Sequence, residues 1–397
     1  MDISIVVFAF DKTSDTSFLT DKIKEIFSSL NCTYEIIPAG CAAYGSALKE
    51  AVKQARGKYI ITMDADFSHN PYILKRLFFH REDAHIVIAS RYIKGGVADM
   101  PFLRRCLSVG LNRLLSFALS LPLADISSGF RLYDARIFRE IESSEKDFSA
   151  LVEILVRAYM HGFSVAEIPF HYRYYPESPA NRNVMQIGFN FLRTFFKMWR
   201  ARNTIASADY DDRAFNSRIP LQRFWQRRKY KIICSFAGYP SRILDAGCGT
   251  SKVLGAFPQA VGMDIDFKKL RYNLSLGNAL LNADVRNLCF KDGVFDVVIC
   301  AEVIEHIQHQ TQTFTELKRV LKKGGVLILA TPDYSRASWL IIEWLYKRVV
   351  PGGYADEHIS HYNRRDLTEM MRGLGFKLEA YQYIWSADLI CKFVKVS

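Results

Sequence analysis

Two α/β domains in tandem are the fold class this 397-residue sequence predicts, and three observations predict it. Residues 1–183 alternate short β-like runs with helix-like segments, the rhythm of an α/β sheet. From Ser241 a second β–α alternation begins, opened by a glycine-rich turn. The stretch 184–230 between them is basic, aromatic and helical in period. At roughly 100–200 residues per domain, the length suits two separate cores.

In the first domain strands are expected at 3–10, 34–38, 58–63 and 86–89, with helices at 18–30 and 44–55. The strand at 58–63 runs into Asp64-Ala65-Asp66, then a polar turn. Two carboxylates one residue apart at a strand end suit Mg²⁺ or Mn²⁺ shared with a diphosphate, because both cations favour hard oxygen ligands. Downstream stand Ala89-Ser90-Arg91-Tyr92, then Arg104, Ser108 and Asn112 at four-residue spacing, which places three polar groups on one helix face. Next come Asp125-Ile126-Ser127-Ser128-Gly129-Phe130-Arg131, the run Glu153-Ile154-Leu155-Val156-Arg157 and Val165-Ala166-Glu167-Ile168-Pro169.

This series resembles the family 2 glycosyltransferases, in their polyprenyl-phosphate (dolichol-phosphate) mannosyltransferase branch, over about residues 3–175. The resemblance implies a GT-A-like fold, a nucleotide-sugar donor and a lipid-phosphate or glycan acceptor. It implies that Asp64 and Asp66 bind the metal and the donor diphosphate. Arg91 and Arg131 would face phosphates, and Arg173 would meet the acceptor phosphate. Asp125 would act as a base or orient Arg131. Ionised acceptor phosphates need arginines to hold two anions together rather than a strong base. Pro176 and Pro179 stand where the family has glycine and lysine, with Arg182 nearby. The N-terminus allows two placements. Residues 3–10 are either the family's first strand, or they precede a match of 10–16 to its second-strand signature. The second placement accounts for the succession of elements up to Asp64 and makes Asp11 a substrate-binding position. The fold is then read as missing its first strand, with unpaired backbone expected inside the sheet.

In the second domain strands are expected at 242–245, 260–264, 296–300 and 325–330. Arg242-Ile243-Leu244-Asp245-Ala246-Gly247-Cys248-Gly249-Thr250 is a buried strand feeding a turn whose glycines allow close approach of a ligand. Asp264 ends the next strand, where a carboxylate can accept hydrogen bonds from two ribose hydroxyls. Asp284 ends a third, and Glu302-Val303-Ile304-Glu305-His306 follows a fourth. A dinucleotide fingerprint would place a third glycine where Lys252 stands. The motif order resembles class I S-adenosylmethionine methyltransferases, of the broad type that includes ubiquinone-biosynthesis enzymes, over about 220–395. The resemblance implies a Rossmann-like fold and S-adenosyl-L-methionine as methyl donor. Asp245, Gly247 and Gly249 would flank its methionine part, Asp264 its ribose and Asp284 its adenine edge. Glu305 and His306 are the candidate catalytic bases. His358 and His361, after a lid at 338–351, are further candidates that suit a structural or stacking role equally well.

The domains are read as 1–183, connecting helices at 184–219, and 220–397. The helix at 184–202 mixes aromatics with Arg193, Lys197, Arg200 and Arg202, and suits either a bilayer interface or packing on its own domain. A charge of +12 suits nucleic acid, an anionic membrane surface or phosphorylated substrates as partner, and equally a role in solubility alone. The basic run 223–231 lies on a helix ahead of the second sheet, so nucleic acid is not expected. Eight scattered cysteines include no C-x-x-C pair. No apolar run reaches the ~18–20 residues of a membrane span, and the N-terminus lacks the marks of a signal peptide. A cytoplasmic chain, peripheral on the membrane face, is the expectation. Two readings stand: a bifunctional glycosyltransferase and methyltransferase, or a methyltransferase with an inactive glycosyltransferase-like module that binds acceptor or membrane.

Overall fold

A computed structural model describes residues 1–9, 17–40, 43–66, 68–175, 184–308, 311–349 and 358–396. The chain forms two compact units, Met1–Arg202 and Asn203–Ser397.

The first unit is built on a six-stranded sheet of order β2-β1-β3-β6-β4-β7. Its strands are β1 (Ile3–Ala9), β2 (Tyr34–Gly40), β3 (Tyr59–Asp64), β4 (Ile86–Ser90), β6 (Arg131–Asp134) and β7 (Val165–Pro169). A separate parallel pair joins β5 (Val97–Asp99) to β8 (His171–Arg173). The strand β1 is apolar nearly throughout because it is covered on both faces. Val6 and Phe8 pack with Tyr44 and Leu48 of helix Tyr44–Gln54. Ile3, Ile5 and Val7 point the other way, onto Leu19 and Ile23 of helix Ser17–Ser28. The polar exception, Ser4, donates to Glu35 Oε1 at 2.6 Å and accepts from the Gly57 N–H at 2.8 Å.

One expectation is corrected here. Strand β1 pairs in parallel with β2 on one edge and with β3 on the other. The sheet is continuous at that point, and the unpaired backbone expected inside it is not found. Asp11 and the rest of 10–16 lie outside the described residues, as do Pro176, Pro179 and Arg182.

The second unit carries a seven-stranded sheet of order β11-β10-β9-β12-β13-β15-β14. These are β9 (Ile243–Ala246), β10 (Val261–Asp264), β11 (Ala279–Asn282), β12 (Phe295–Ala301), β13 (Leu321–Pro332), β14 (Phe376–Ile384) and β15 (Asp388–Lys395). The neighbours from β11 to β13 are parallel, and β15 runs antiparallel to both β13 and β14. From β9 the chain winds outward to β10 and β11, then crosses to β12. The reversal falls between β9 and β12, the place where doubly wound sheets open a ligand crevice at their carboxyl ends.

The connecting segment divides. Helix Val184–Arg202 packs on the first unit through Phe191 and Met198, while Phe189, Leu192, Phe196 and Trp199 are exposed. Residues 203–219 belong to the second unit. Glu153, fully buried on helix Ala150–Met160, gathers the surrounding polypeptide. It accepts from the N–H groups of Ser144 and Glu145, from Arg157 and from Lys197 of the following helix. Burial alone would raise its carboxyl; these donors outweigh burial and hold it down to about 2.

Glu153→Ala should cost about 1–3 kcal/mol, because the Ser144 and Glu145 N–H groups lose their acceptor and the part-exposed Arg157 and Lys197 lose an ion pair. With a depressed folded value, the stabilisation is complete above the unfolded value of 4.5 and fades as pH falls toward about 2. Urea titrations across that interval check this. A variant as stable as the parent near neutrality would rule the role out.

Candidate functional site

In the first unit the site lies where β3 ends. Asp64 Oδ1 is buried and accepts no hydrogen bond from the described residues. Burial, and then the neighbouring charge of Asp66, push the Asp64 carboxyl well above its ordinary value. The Asp64 N–H donates to His69 Nδ1 at 3.0 Å, and Asp66 Oδ1 accepts the Ser68 N–H at 3.0 Å. His69 stacks on Phe130 with ring centroids 4.7 Å apart, and burial pushes it down to about 4. A neutral imidazole backs the turn without adding a cation. An orphaned buried oxygen of one carboxylate beside a second carboxylate suits a hard divalent ion.

Arg91 and Asp125 form the next layer. The guanidinium makes two 2.7 Å bonds to the carboxylate, one to each oxygen, and a third to Ser127 Oγ. Glu167 fixes that carboxylate's backbone by accepting from the Ala124 and Asp125 N–H groups. Burial works to raise Asp125, but the Arg91 charge and hydrogen bonds prevail and hold it below the usual carboxylate range. It is therefore a poor proton acceptor, and it orients Arg91 rather than Arg131. Tyr172 lies 5.4 Å from the Arg91 guanidinium and senses Asp66 and Asp64 as well. Arg173 is exposed on β8, its backbone N–H directed to Ser68 O at 3.4 Å.

Arg131 departs from expectation. Its side chain is fully buried and donates to the carbonyls of Ser128, Leu151 and Ile126. Those bonds tie two loops to a helix, so this arginine braces the site from below and does not face a phosphate. Arg104, Ser108 and Asn112 do share one inward face. Asn112 Oδ1 accepts from Ile126 and Ser127, Ser108 accepts from Tyr92, and Arg104 lies over Tyr174.

In the second unit the turn after β9 carries the geometry. Gly247 and Gly249 adopt φ of 79° and 51°. A Cβ on Gly247 would meet Val303 Cγ2 at 2.2 Å, and one on Gly249 would meet Asp211 Oδ2 at 2.7 Å. The N–H groups of Gly247 and Cys248 donate to Met263 O, and that of Gly249 to Asp264 Oδ2 at 2.8 Å. Asp264 Oδ1 accepts the Asp266 N–H, so each of its oxygens keeps one acceptor direction. Asp245 Oδ2 is buried without a hydrogen-bond partner among the described residues. Burial, then the charge of Asp264, push its carboxyl up to about 7. An orphaned carboxylate below glycines that admit no side chain suits a cationic ligand lying flat on the turn. Asp284, near the end of β11, grips Arg286 through both oxygens.

Asp211 and Asp212 were not legible as site residues, because their segment reads as a linker. Asp211 accepts from the Thr250 N–H at 3.2 Å, and Asp212 from Tyr272 and from Lys252. They cap the glycine turn from outside.

Beyond β12, Glu302 holds φ of 57°, a strained value for a residue with a side chain. Lys229 reaches it at 3.0 Å and Asp388 at 2.9 Å. Glu305 is fully buried, and neither carboxylate oxygen has a hydrogen-bond partner among the described residues. Its carbonyl accepts from the Ile359 and Ser360 N–H groups, which draws the segment bearing His358 against Glu305 and His306. One ligating atom from each of these three residues lies within 4.8 Å of the others. His361 instead stacks on Tyr334 at 4.0 Å.

Residues 13–142 match the glycosyl transferase family 2, and residues 216–381 match a methyltransferase domain family. Among curated proteins, the chain is 29% identical over 130 residues to a dolichyl-phosphate hexose transferase of Haloferax volcanii, covering 33% of this chain and 57% of that protein. It is 36% identical over 115 residues to a polyprenol monophosphomannose synthase of Mycolicibacterium smegmatis, covering 28% and 43%. The chain spans about half the length of the curated relatives it matches. Among solved structures it is similar to a SAM-dependent methyltransferase from Thermotoga maritima, with 20% identity, a TM-score of 0.38, and coverage of 44% of this chain and 90% of that one. The chain thus carries a family 2 glycosyltransferase domain followed by a methyltransferase domain.

Replacing Asp245 by asparagine tests the buried charge. Because the folded value is raised from 3.8 to about 7, the stability linked to the protonated form is present at low pH and lost as pH rises through that interval. In thermal melts of the full chain, the advantage of Asp245→Asn should grow between about pH 4 and about pH 7, toward a ceiling on the order of 4 kcal/mol. A difference that does not change with pH would show that the carboxylate is compensated.

Proposed function

We propose that the chain is a bifunctional transferase working on a membrane-linked acceptor. The first unit transfers a sugar from a nucleotide-sugar to a lipid-phosphate or glycan acceptor. The second transfers a methyl group from S-adenosyl-L-methionine to a glycan or small-molecule acceptor. The observation that best supports the first activity is the orphaned oxygen of Asp64 beside Asp66. Bound there, Mg²⁺ or Mn²⁺ would neutralise the departing diphosphate. The chain's own part is positional. Asp125 aims Arg91, and Arg173 waits on the strand tied to the Ser68 turn for the acceptor phosphate. The dolichyl and polyprenol phosphates in the relatives' names support a lipid-phosphate acceptor.

For methyl transfer, Asp245 and the glycine turn hold the methionine part of the donor, Asp264 its ribose and Asp284 its adenine edge. The acceptor hydroxyl loses its proton at the Glu305–His306 pair. A carbon–oxygen bond forms as the sulfonium–carbon bond breaks, leaving S-adenosylhomocysteine.

The apolar helix faces support a peripheral position on the cytoplasmic face of an anionic membrane. Helix Phe102–Ala118 turns its polar face inward and exposes Phe102 (82%), Leu103 (71%), Leu107, Leu114 and Phe117. Arg105 and Arg113 lie on the same helix, and helix Val184–Arg202 adds its own exposed aromatics with Arg193 and Arg200. No helix among the described residues is long and apolar enough to cross a membrane. Apolar anchors ringed by arginines suit an interface instead.

A second reading, a methyltransferase with an inactive glycosyltransferase-like module, draws on the arginines. Arg91 is already engaged by Asp125 and Arg131 is buried, which leaves fewer cations for phosphates.

Assays of the full chain with a panel of nucleotide-sugars and Mn²⁺ separate the two readings. Turnover that falls on the order of a thousandfold in Asp64→Ala or Asp66→Ala supports the first. No metal-dependent turnover with any donor supports the second. The membrane reading is checked by flotation with phosphatidylglycerol and phosphatidylcholine vesicles. Binding should prefer the anionic vesicles, weaken with salt and fall by about tenfold in Leu107→Glu. Equal binding to both lipids would sink it.

A further inference from the structure

We propose that the second unit carries a docking surface of its own for an anionic bilayer, formed by Phe224, Trp385 and the arginines beside them at the lip of the ligand crevice. The position comes from the sheet. Strand β15 runs antiparallel to β13 and pairs Asp388 with Pro332, the last residue of β13. The turn from β14 to β15 therefore stands at the carboxyl end of the parallel strands, the edge at which the crevice opens. Its central residues, Trp385 and Ser386, hold φ of 49° and 54°. Such a turn ordinarily takes Asn-Gly, and a bulky ring in the left-handed region is strained. The strained turn leaves the indole outside. Trp385 is 44% exposed, and Phe224 on helix Pro220–Ala237 is 50% exposed. The two rings stack with centroids 5.5 Å apart. Trp225 meets Trp385 edge-on and ties the group inward, its indole N–H donating to Asp388 Oδ2 at 3.2 Å.

Charge names the occupant. Helix Pro220–Ala237 bears Arg223, Arg227, Arg228, Lys229 and Lys231 and no acidic residue. Lys229 turns inward to Asp388. Arg227 and Arg228 are exposed and follow Phe224 by three and four residues, on the same side of the helix. Leu221, three residues before Phe224, is exposed as well. Arg228 donates to Gln382 of β14 at 3.4 Å, so the cations border the strand that bears the turn. The acid of that strand, Glu379, is taken up by Lys392 at 2.9 Å. An indole, apolar in body and polar at its N–H, settles where headgroups meet acyl chains, and nearby arginines are drawn to anionic lipid. Single-stranded nucleic acid is served less well, because Phe224 and Trp385 each cover a ring face that a base would need.

The inference rests on the membrane-linked acceptor of the function proposed above and adds the place where that acceptor arrives. Docking at the crevice lip brings an acceptor held in the bilayer to the methyl donor without its leaving the lipid.

The test is flotation of the full chain carrying Leu107→Glu, with vesicles of phosphatidylglycerol or of phosphatidylcholine, so that the remaining binding reports the second unit. Phe224→Glu and Trp385→Glu should each lower phosphatidylglycerol binding by about tenfold. Arg227→Gln together with Arg228→Gln should lower it at low salt and change little at high salt. Far-UV circular dichroism checks that each variant is folded. Should Trp385→Glu not fold, Leu221→Glu carries the test. Binding unchanged in the folded variants overturns the surface. An equal loss on phosphatidylcholine overturns the anionic bilayer as its occupant, as does binding of single-stranded RNA that these substitutions abolish while vesicle binding stays. The reading beneath it fails differently: Leu107→Glu alone then leaves vesicle binding at the parent level, while Trp385→Glu still lowers it.

Discussion

Both sites depend on carboxylates buried at the carboxyl ends of strands. A charge there is costly unless a partner reaches it, and the chain answers the cost in two ways. Some acids are met from within. Asp125 receives Arg91, and Glu153 receives Arg157 and Lys197. Others are left open. Asp64, Asp245 and Glu305 each keep a buried oxygen that no donor in the described residues satisfies. On the function proposed, the open ones are where ligands bind, and the closed ones hold the surrounding loops at the right distance. The same chemical group thus serves as scaffold in one place and as docking point in another, and the difference is the presence of a cation.

The strands decide where those acids fall. In the first unit β1 is covered on both faces and paired on both edges, so β3 delivers Asp64 from inside a continuous sheet. In the second unit, reversal between β9 and β12 opens the crevice, and Gly247 and Gly249 keep its floor free of side chains. The strained backbone of Glu302 then turns the chain so that Glu305 and His306 follow on the next short turn. Rigid sheet, bare floor and a strained corner are three separate provisions for one purpose, to hold charge and backbone where a ligand can use them.

Local pattern carried most of the architecture. Strand ends, glycine turns and the inward face of Arg104, Ser108 and Asn112 are set by periodicity over a few residues, which sequence displays directly. Arg131 was misread for a physical reason. An arginine beside a conspicuous motif looks like an anion ligand, and only three-dimensional packing reveals three carbonyls consuming its donors. Asp125 was bracketed between two roles, and its partner turned out to be Arg91, 34 residues earlier in the chain. His69 was hidden because a histidine in a polar turn is ordinary, and its stacking on Phe130 is a long-range event. The meeting of His358 with Glu305 and His306 likewise rests on backbone bonds that span more than fifty residues.

The caps on the glycine turn bear on where the methyltransferase domain begins. The family match starts at residue 216, and the helix that precedes the sheet at Pro220. Asp211 and Asp212 lie upstream of both. A domain excised at either boundary would keep every recognisable motif and still lose the carboxylates that hold Thr250, Lys252 and Tyr272. Its cofactor floor would be intact in sequence and unsupported in space. Portability of this enzyme as a module is therefore set by a short acidic segment that carries no motif of its own.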